Sequence, residues 1–168
     1  MTSIKRNIIG TPANSHNYNS HSRLRILFVC LGNICRSPTA EALFNYLHKS
    51  GKAIAFSRGT DYWHYGEPVC SLMRRVLEEE GVPAPERGAK IMEPSQISQF
   101  SLVIPVDKKV ESYLKEVLSK KHHRKILPYM ELTGGKEVPD PYKKDLNAAR
   151  EAYSIIKEGV ENLIALLS

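Results

Sequence analysis

Short apolar runs alternate with helical-period segments along most of the chain. Leu24, Ile26, Leu27, Phe28 and Val29 make a compact, partly β-branched run, the pattern of a strand buried on both faces. Behind it Ala40, Leu43, Phe44 and Leu47 recur at helical spacing, with Ser37 as the expected N-cap and Pro38 as the first helical residue. The pattern then predicts a strand over 53–57, a helix over 70–80 ended by Gly81, and a strand over 102–106. A helix over 110–118, a short fourth strand over 125–127 and a long closing helix over 146–167 complete it. Ala149, Tyr153, Ile156, Val160, Leu163, Ile164 and Leu167 form the apolar seam of that last helix. Strands alternating with helices imply one α/β domain: a parallel sheet with right-handed crossovers and helices on both faces.

Residues 1–22 stand outside this alternation. They are polar, rich in Ser, Asn and His, and the first acidic residue of the chain is Glu41. The segment reads as a disordered extension ahead of a domain spanning 23–168, with an organellar-transit segment as the weaker reading. A length of 168 residues suffices for one sizeable core.

A net charge of +6 suits phosphorylated or acidic partners. The one dense basic run, Lys120 to Lys125, lacks the interleaved aromatics of a nucleic-acid surface and reads as a solvated link, so no specific nucleic acid is expected. No stretch is apolar enough to insert in a membrane. Three cysteines, two of them in one loop, cannot make a secreted disulfide framework, and a reducing, cytoplasmic compartment is expected. His122 and His123 are adjacent and Cys70 has no partner at zinc-like spacing; all three read as residues of solvated helix ends, and neither metal nor cofactor is expected.

The chemistry concentrates where the first strand ends and the first helix begins, in Cys30, Leu31, Gly32, Asn33, Ile34, Cys35, Arg36, Ser37 and Pro38. A loop wrapped around a helix N-terminus offers unpaired amides and the positive end of the helix dipole to an anion. Arg36 adds a planar fork that binds two phosphate oxygens at once. The same field favours a thiolate, so Cys30 stands as a nucleophile in the floor of an anion cradle.

These residues closely resemble the low-molecular-weight protein tyrosine phosphatase family, whose signature V-C-x-G-N-x-C-R-S-P is matched at every fixed position from Val29 to Pro38. The resemblance runs from about Leu24 to the C-terminus. It implies four parallel strands in the order 2-1-3-4, and a Cys30 thiolate that attacks phosphorus to form a cysteinyl-phosphate. Arg36 and the loop residues Leu31, Gly32, Asn33, Ile34, Cys35 and Ser37 would surround the phosphate, with the guanidinium and the loop amides holding its equatorial oxygens. Asn33 would brace the loop and the Ser37 hydroxyl would bond the sulfur. Cys35 matches the family's second loop cysteine, which can trap an oxidised nucleophile as a disulfide. Asp140, in Asp140-Pro141-Tyr142, matches the general acid, and the flanking prolines restrict its backbone.

Ser57 to Thr60 and Trp63 to Gly66 are similar to the family's S-A-G-T strand end and the variable loop after it, which makes Trp63 and Tyr142 opposite walls of an aryl slot. Ile34 stands where relatives acting on phosphoarginine tend to carry threonine, so it favours phosphotyrosine. The chain also departs from the family. Lys143 and Lys144 follow Tyr142 in place of a second aromatic, and Glu86 to Lys90 replace the frequent H-x-A-R-Q, removing the histidine that partners the loop asparagine. The resemblance thus implies a metal-free hydrolase acting on a phosphotyrosine protein or peptide, as a monomer or weak homodimer. Phosphoarginine hydrolysis and a catalytically weak phosphopeptide-binding module are the alternatives. Thiol-dependent arsenate reduction needs further resolving cysteines, and only Cys70 lies downstream.

Overall fold

Leu24–Cys30 forms the central strand, β1, and its alternation separates two cores. Ile26, Phe28 and Cys30 face one cluster, while Leu27 and Val29 face the other. In the computed structural model, which describes residues 23–168, both faces of the sheet are covered. The extension expected over 1–22 lies outside the described residues.

On the Phe28 side lie α1 (Arg36–Leu47), α2 (Ser71–Glu79) and α4 (Leu146–Leu167); on the Leu27 side lie a 3-10 turn over Pro94–Gln99 and α3 (Lys108–Val117). β2 (Ala53–Gly59) and β3 (Leu102–Pro105) flank β1, each parallel to it. The order β2-β1-β3 places the carboxyl end of β1 in the crevice where open α/β sheets bind ligands.

The expected four-stranded sheet has three strands among the described residues. In place of a fourth, Ile126 makes a single parallel bridge to Val103, and the Leu127 amide donates to the Val103 carbonyl at 2.9 Å. The residues before it, Lys120–Lys125, are wound into a 3-10 helix, and Pro128 after it has no amide proton to continue a ladder. That 3-10 helix buries none of its residues, as a solvated link requires. α3 begins two residues earlier than the apolar pattern predicts, because the Asp107 side chain accepts from the Val110 amide and caps it. Gly81, at φ 71°, closes the turn after α2 in the left-handed conformation expected of a helix-ending glycine.

The α4 seam packs as its spacing predicts, with Ala149, Tyr153, Ile156, Val160 and Leu163 buried and Ile164 and Leu167 half-buried. It closes over Tyr129, which is fully buried and donates its hydroxyl to the Ile156 carbonyl. Burial pushes the ionisation of that phenol well above the ordinary tyrosine range. Gly159 lets the ring approach, since a β-carbon there would overlap it. Gly159→Ala should therefore destabilise the domain by about 1–3 kcal/mol, against the roughly 1 kcal/mol that alanine normally gains inside a helix. A chemical-denaturation midpoint checks the sign.

Candidate active site

The carboxyl end of β1 opens into a cavity of ≈ 190 Å³. Its floor comes from the loop between β1 and α1: Cys30, Leu31, Gly32, Ile34, Cys35 and Arg36. Asp61, Trp63 and His64, after β2, line one side, and Asp140 and Tyr142 another. Asn33 and Ser37, grouped above with the substrate-binding residues, are both buried and are not among the residues that line the cavity. Gly59 permits this closeness of β2 to the loop, because a β-carbon there would come within 2.8 Å of the Leu31 carbonyl oxygen.

The loop's hydrogen bonds converge on the Cys30 sulfur. The Asn33 amide donates to Sγ at 3.2 Å, and the Ser37 hydroxyl lies 2.9 Å from it. Asn33 Nδ2 donates to the Ser37 oxygen at 2.8 Å and to the Ser57 oxygen at 2.9 Å. With Asn33 filling an acceptor position of Ser37, the Ser37 proton has the Cys30 sulfur at 2.9 Å and the Arg58 carbonyl at 3.5 Å as acceptors, the sulfur being the nearer. Asn33 itself adopts φ 57°, a left-handed conformation that asparagine tolerates better than most residues.

The first helical turn is consequently shifted from expectation. α1 starts at Arg36 with Cys35 as its N-cap, and Ser37, the expected cap, spends its hydroxyl on Cys30 and Asn33. Pro38 still falls in the first turn, where a missing amide proton is harmless.

Arg36 is buried and held from two sides. Nη1 donates to Asp107 Oδ2 at 2.7 Å and to the Val138 carbonyl at 3.1 Å, and Nη2 stands 3.8 Å from Asp140 Oδ2. The second Asp107 oxygen caps α3 at 2.9 Å, so Asp107 fixes the guanidinium to a rigid element. Asp140 Oδ1 accepts from the Tyr142 amide at 3.1 Å, which orients the carboxylate toward the cavity. The strand end anchors this loop through the Val138 amide, which donates to the Val106 carbonyl at 3.3 Å.

At the rim Trp63 is 83% exposed, the loop-borne posture expected of it. The His64 ring, which the sequence reading passed over, meets Tyr142 edge-on with centroids 4.9 Å apart, and its Nδ1 lies 2.7 Å from Glu67. That contact joins the two rim loops. The Lys143 ammonium stands 5.4 Å from the Tyr142 ring centroid, where the family commonly places a second aromatic.

Residues 25–168 match the family model described as low molecular weight phosphotyrosine protein phosphatase. The chain belongs to this family. Low molecular weight protein-tyrosine-phosphatase YfkJ of Bacillus subtilis is 34% identical over 149 residues, which cover 84% of this chain and 94% of that protein. Its crystal structure superposes with a TM-score of 0.80, at 32% identity over 88% of this chain and 96% of that one. A protein tyrosine phosphatase of Entamoeba histolytica, crystallised with Hepes in the active site, is 30% identical with a TM-score of 0.80, covering 86% and 96% of the two chains. The YwlE arginine phosphatase of Geobacillus stearothermophilus shares the fold, with a TM-score of 0.77 at 24% identity over 86% of this chain and 92% of that one.

This low molecular weight phosphatase is a hydrolase by family, and among its described residues no helix is long and apolar enough to cross a membrane. It replaces the family's missing histidine with Arg87. Nη1 donates to Asn33 Oδ1 at 3.3 Å, and Nη2 donates to the Ser57 hydroxyl at 2.8 Å and its carbonyl at 3.1 Å. Glu41, nearly buried, accepts from Arg87 Nη2 and from the Ser57 hydroxyl at 3.1 Å. The Lys90 amide completes the set on Asn33 Oδ1 at 2.9 Å. Neighbouring Arg58 has its pKa lowered, chiefly by burial and then by Arg87, with Arg25 adding to the effect and Glu41 opposing it.

Arg87→Ala leaves the nearly buried Glu41 carboxylate without its cation and removes a donor from Asn33 and from Ser57. With both side chains mostly buried, the expected loss of stability is about 3 kcal/mol, with turnover falling more than substrate affinity. Steady-state kinetics beside a denaturation curve separate the two effects.

The cysteines are also arranged differently from the family expectation. Cys35, the residue read as a trap for oxidised Cys30, is joined in a disulfide to Cys70, with Cα atoms 5.4 Å apart. Cys30 is the free cysteine. Cys70 does stand at a helix end, as N-cap of α2, but half-buried against the loop.

Proposed function

We propose that residues 23–168 hydrolyse phosphotyrosine in a protein or peptide through a cysteinyl-phosphate on Cys30. The convergence of the Ser37 and Asn33 donors on Cys30 Sγ, below the facing pair Arg36 and Asp140, carries this reading. The phosphoryl group would sit over the N-terminus of α1, its oxygens shared between loop amides and the Arg36 guanidinium. Asp107 keeps that guanidinium oriented before substrate arrives.

In the first step Cys30 sulfur attacks phosphorus in line with the ester oxygen. Asp140 passes its proton to that oxygen as the P–O bond breaks, and tyrosine leaves neutral. In the second step the Asp140 carboxylate takes a proton from a water, which attacks the phosphocysteine and restores the Cys30 thiolate. Ser37 and Asn33 stabilise the sulfur as leaving group in this half of the cycle. Trp63 and Tyr142 would flank the phenyl ring, and apolar Ile34 suits that ring better than it suits a guanidinium. Composition and the family resemblance support a cytoplasmic enzyme working as a monomer or weak homodimer.

The test measures phosphate release by freshly reduced protein, without added metal, from a phosphotyrosine peptide, from p-nitrophenyl phosphate and from a phosphoarginine peptide. Turnover of the first two, with the third slower by about tenfold or more, is the expected result. A preference for phosphoarginine would transfer the assignment to that substrate. Retained phosphate binding without any turnover would leave a binding module.

A further inference from the structure

Both partners of the disulfide are N-cap residues: Cys35 opens α1 and Cys70 opens α2. The Cys70 amide donates to the Ile34 carbonyl at 2.7 Å, which pins the start of α2 to the loop carrying Cys30. Cys30 and Cys35 line the same cavity, so the chain's three cysteines form one contiguous group. A sulfur at a helix N-terminus has the dipole's positive end beside it, which makes each sulfur of this pair a good leaving group in thiol–disulfide exchange. In a reducing compartment, disulfides of this kind are usually transient and redox-active.

We propose that Cys70 is a resolving thiol, and that the Cys35–Cys70 disulfide is the end state of a relay returning peroxide-oxidised Cys30 to its thiolate. The inference rests on the reading of Cys30 as the reactive thiolate. Cys30 sulfur attacks the O–O bond of hydrogen peroxide, becoming a sulfenic acid and releasing hydroxide. The Cys35 thiolate displaces hydroxide from that sulfur, forming the Cys30–Cys35 disulfide. The Cys70 thiolate then attacks the Cys35 sulfur; the Cys30–Cys35 bond breaks and its electron pair leaves on Cys30. The sum is one peroxide and two thiols converted to one disulfide and two waters. A dithiol reductant reopens the pair. Without Cys70 the sequence stops at Cys30–Cys35, with the nucleophile blocked.

The full chain is reduced, treated with one equivalent of hydrogen peroxide, quenched, and examined by thiol count, disulfide mapping and phosphate release. Wild type should lose two thiols, map to Cys35–Cys70 and keep most of its activity. Cys70→Ser, which preserves a good N-cap, should map to Cys30–Cys35 and lose activity until dithiothreitol restores it. In Cys30→Ser the Cys35–Cys70 bond should form about tenfold slower or more, because the reactive entry thiol is gone. Equal inactivation of wild type and Cys70→Ser overturns the relay. So does an unchanged rate of Cys35–Cys70 formation in Cys30→Ser, which would make the bond an ordinary structural disulfide. Mapping is independent of catalysis, so a protein that releases no phosphate refutes the proposed function and still leaves the relay to be judged by its disulfides.

Discussion

Cys30→Ser is expected to lower turnover of a phosphotyrosine peptide by on the order of 10⁴-fold or more while phosphate still binds. A serine hydroxyl at this position lacks the polarisable, readily ionised character that sulfur brings to the point where the Asn33 amide and the Ser37 hydroxyl converge. Those donors stabilise a charge, and a neutral hydroxyl gives them little to stabilise. The cradle is built from other parts. Arg36 keeps its Asp107 and Val138 contacts, and the N-terminus of α1 is unchanged, so oxyanion affinity should persist. Titration calorimetry with phosphate, beside single-turnover kinetics, separates binding from chemistry. Residual turnover above about one part in a hundred would place the nucleophile elsewhere.

Asp140→Asn should cut kcat by about 10²–10⁴-fold with a phosphotyrosine peptide, and much less with p-nitrophenyl phosphate. Nitrophenolate departs without a proton, whereas the tyrosine oxygen needs one. Asparagine can still accept from the Tyr142 amide, so the loop should keep its shape. Removing a negative charge 3.8 Å from Arg36 should also tighten the binding of phosphate analogues. The decisive comparison is the ratio of the two substrates across variants: an equal fall for both would mean that Asp140 holds the loop rather than delivers a proton.

Where local pattern decides structure, the sequence was sufficient. The apolar, partly β-branched run at 24–29, the seam of α4 and the glycine after α2 each carry their own signal, and each forms close to the expected bounds. The floor of the site was legible for the same reason, since Cys30 through Pro38 are contiguous. What escaped depends on tertiary contact. Ser37 looks like an N-cap because serine usually is one, yet its hydroxyl is claimed by Cys30 and Asn33. The family's histidine position holds Glu86, and nothing local says that Arg87, one residue on, reaches the same amide and hydroxyl. Cys70 lies 35 residues from Cys35, a separation that only the packing of α2 against the loop closes. The expected fourth strand is reduced to a single parallel bridge at Ile126, for a local reason that could have been read, the proline directly after Leu127.

Trp63 is the chain's only tryptophan, and it stands largely in water at the mouth of the cavity. Any aryl ligand that settles against it strips that water away, so the molecule carries its own fluorescent gauge of occupancy. Emission from the unlabelled Cys30→Ser protein can therefore rank natural phosphopeptides by affinity, free of turnover and without a tag at the rim.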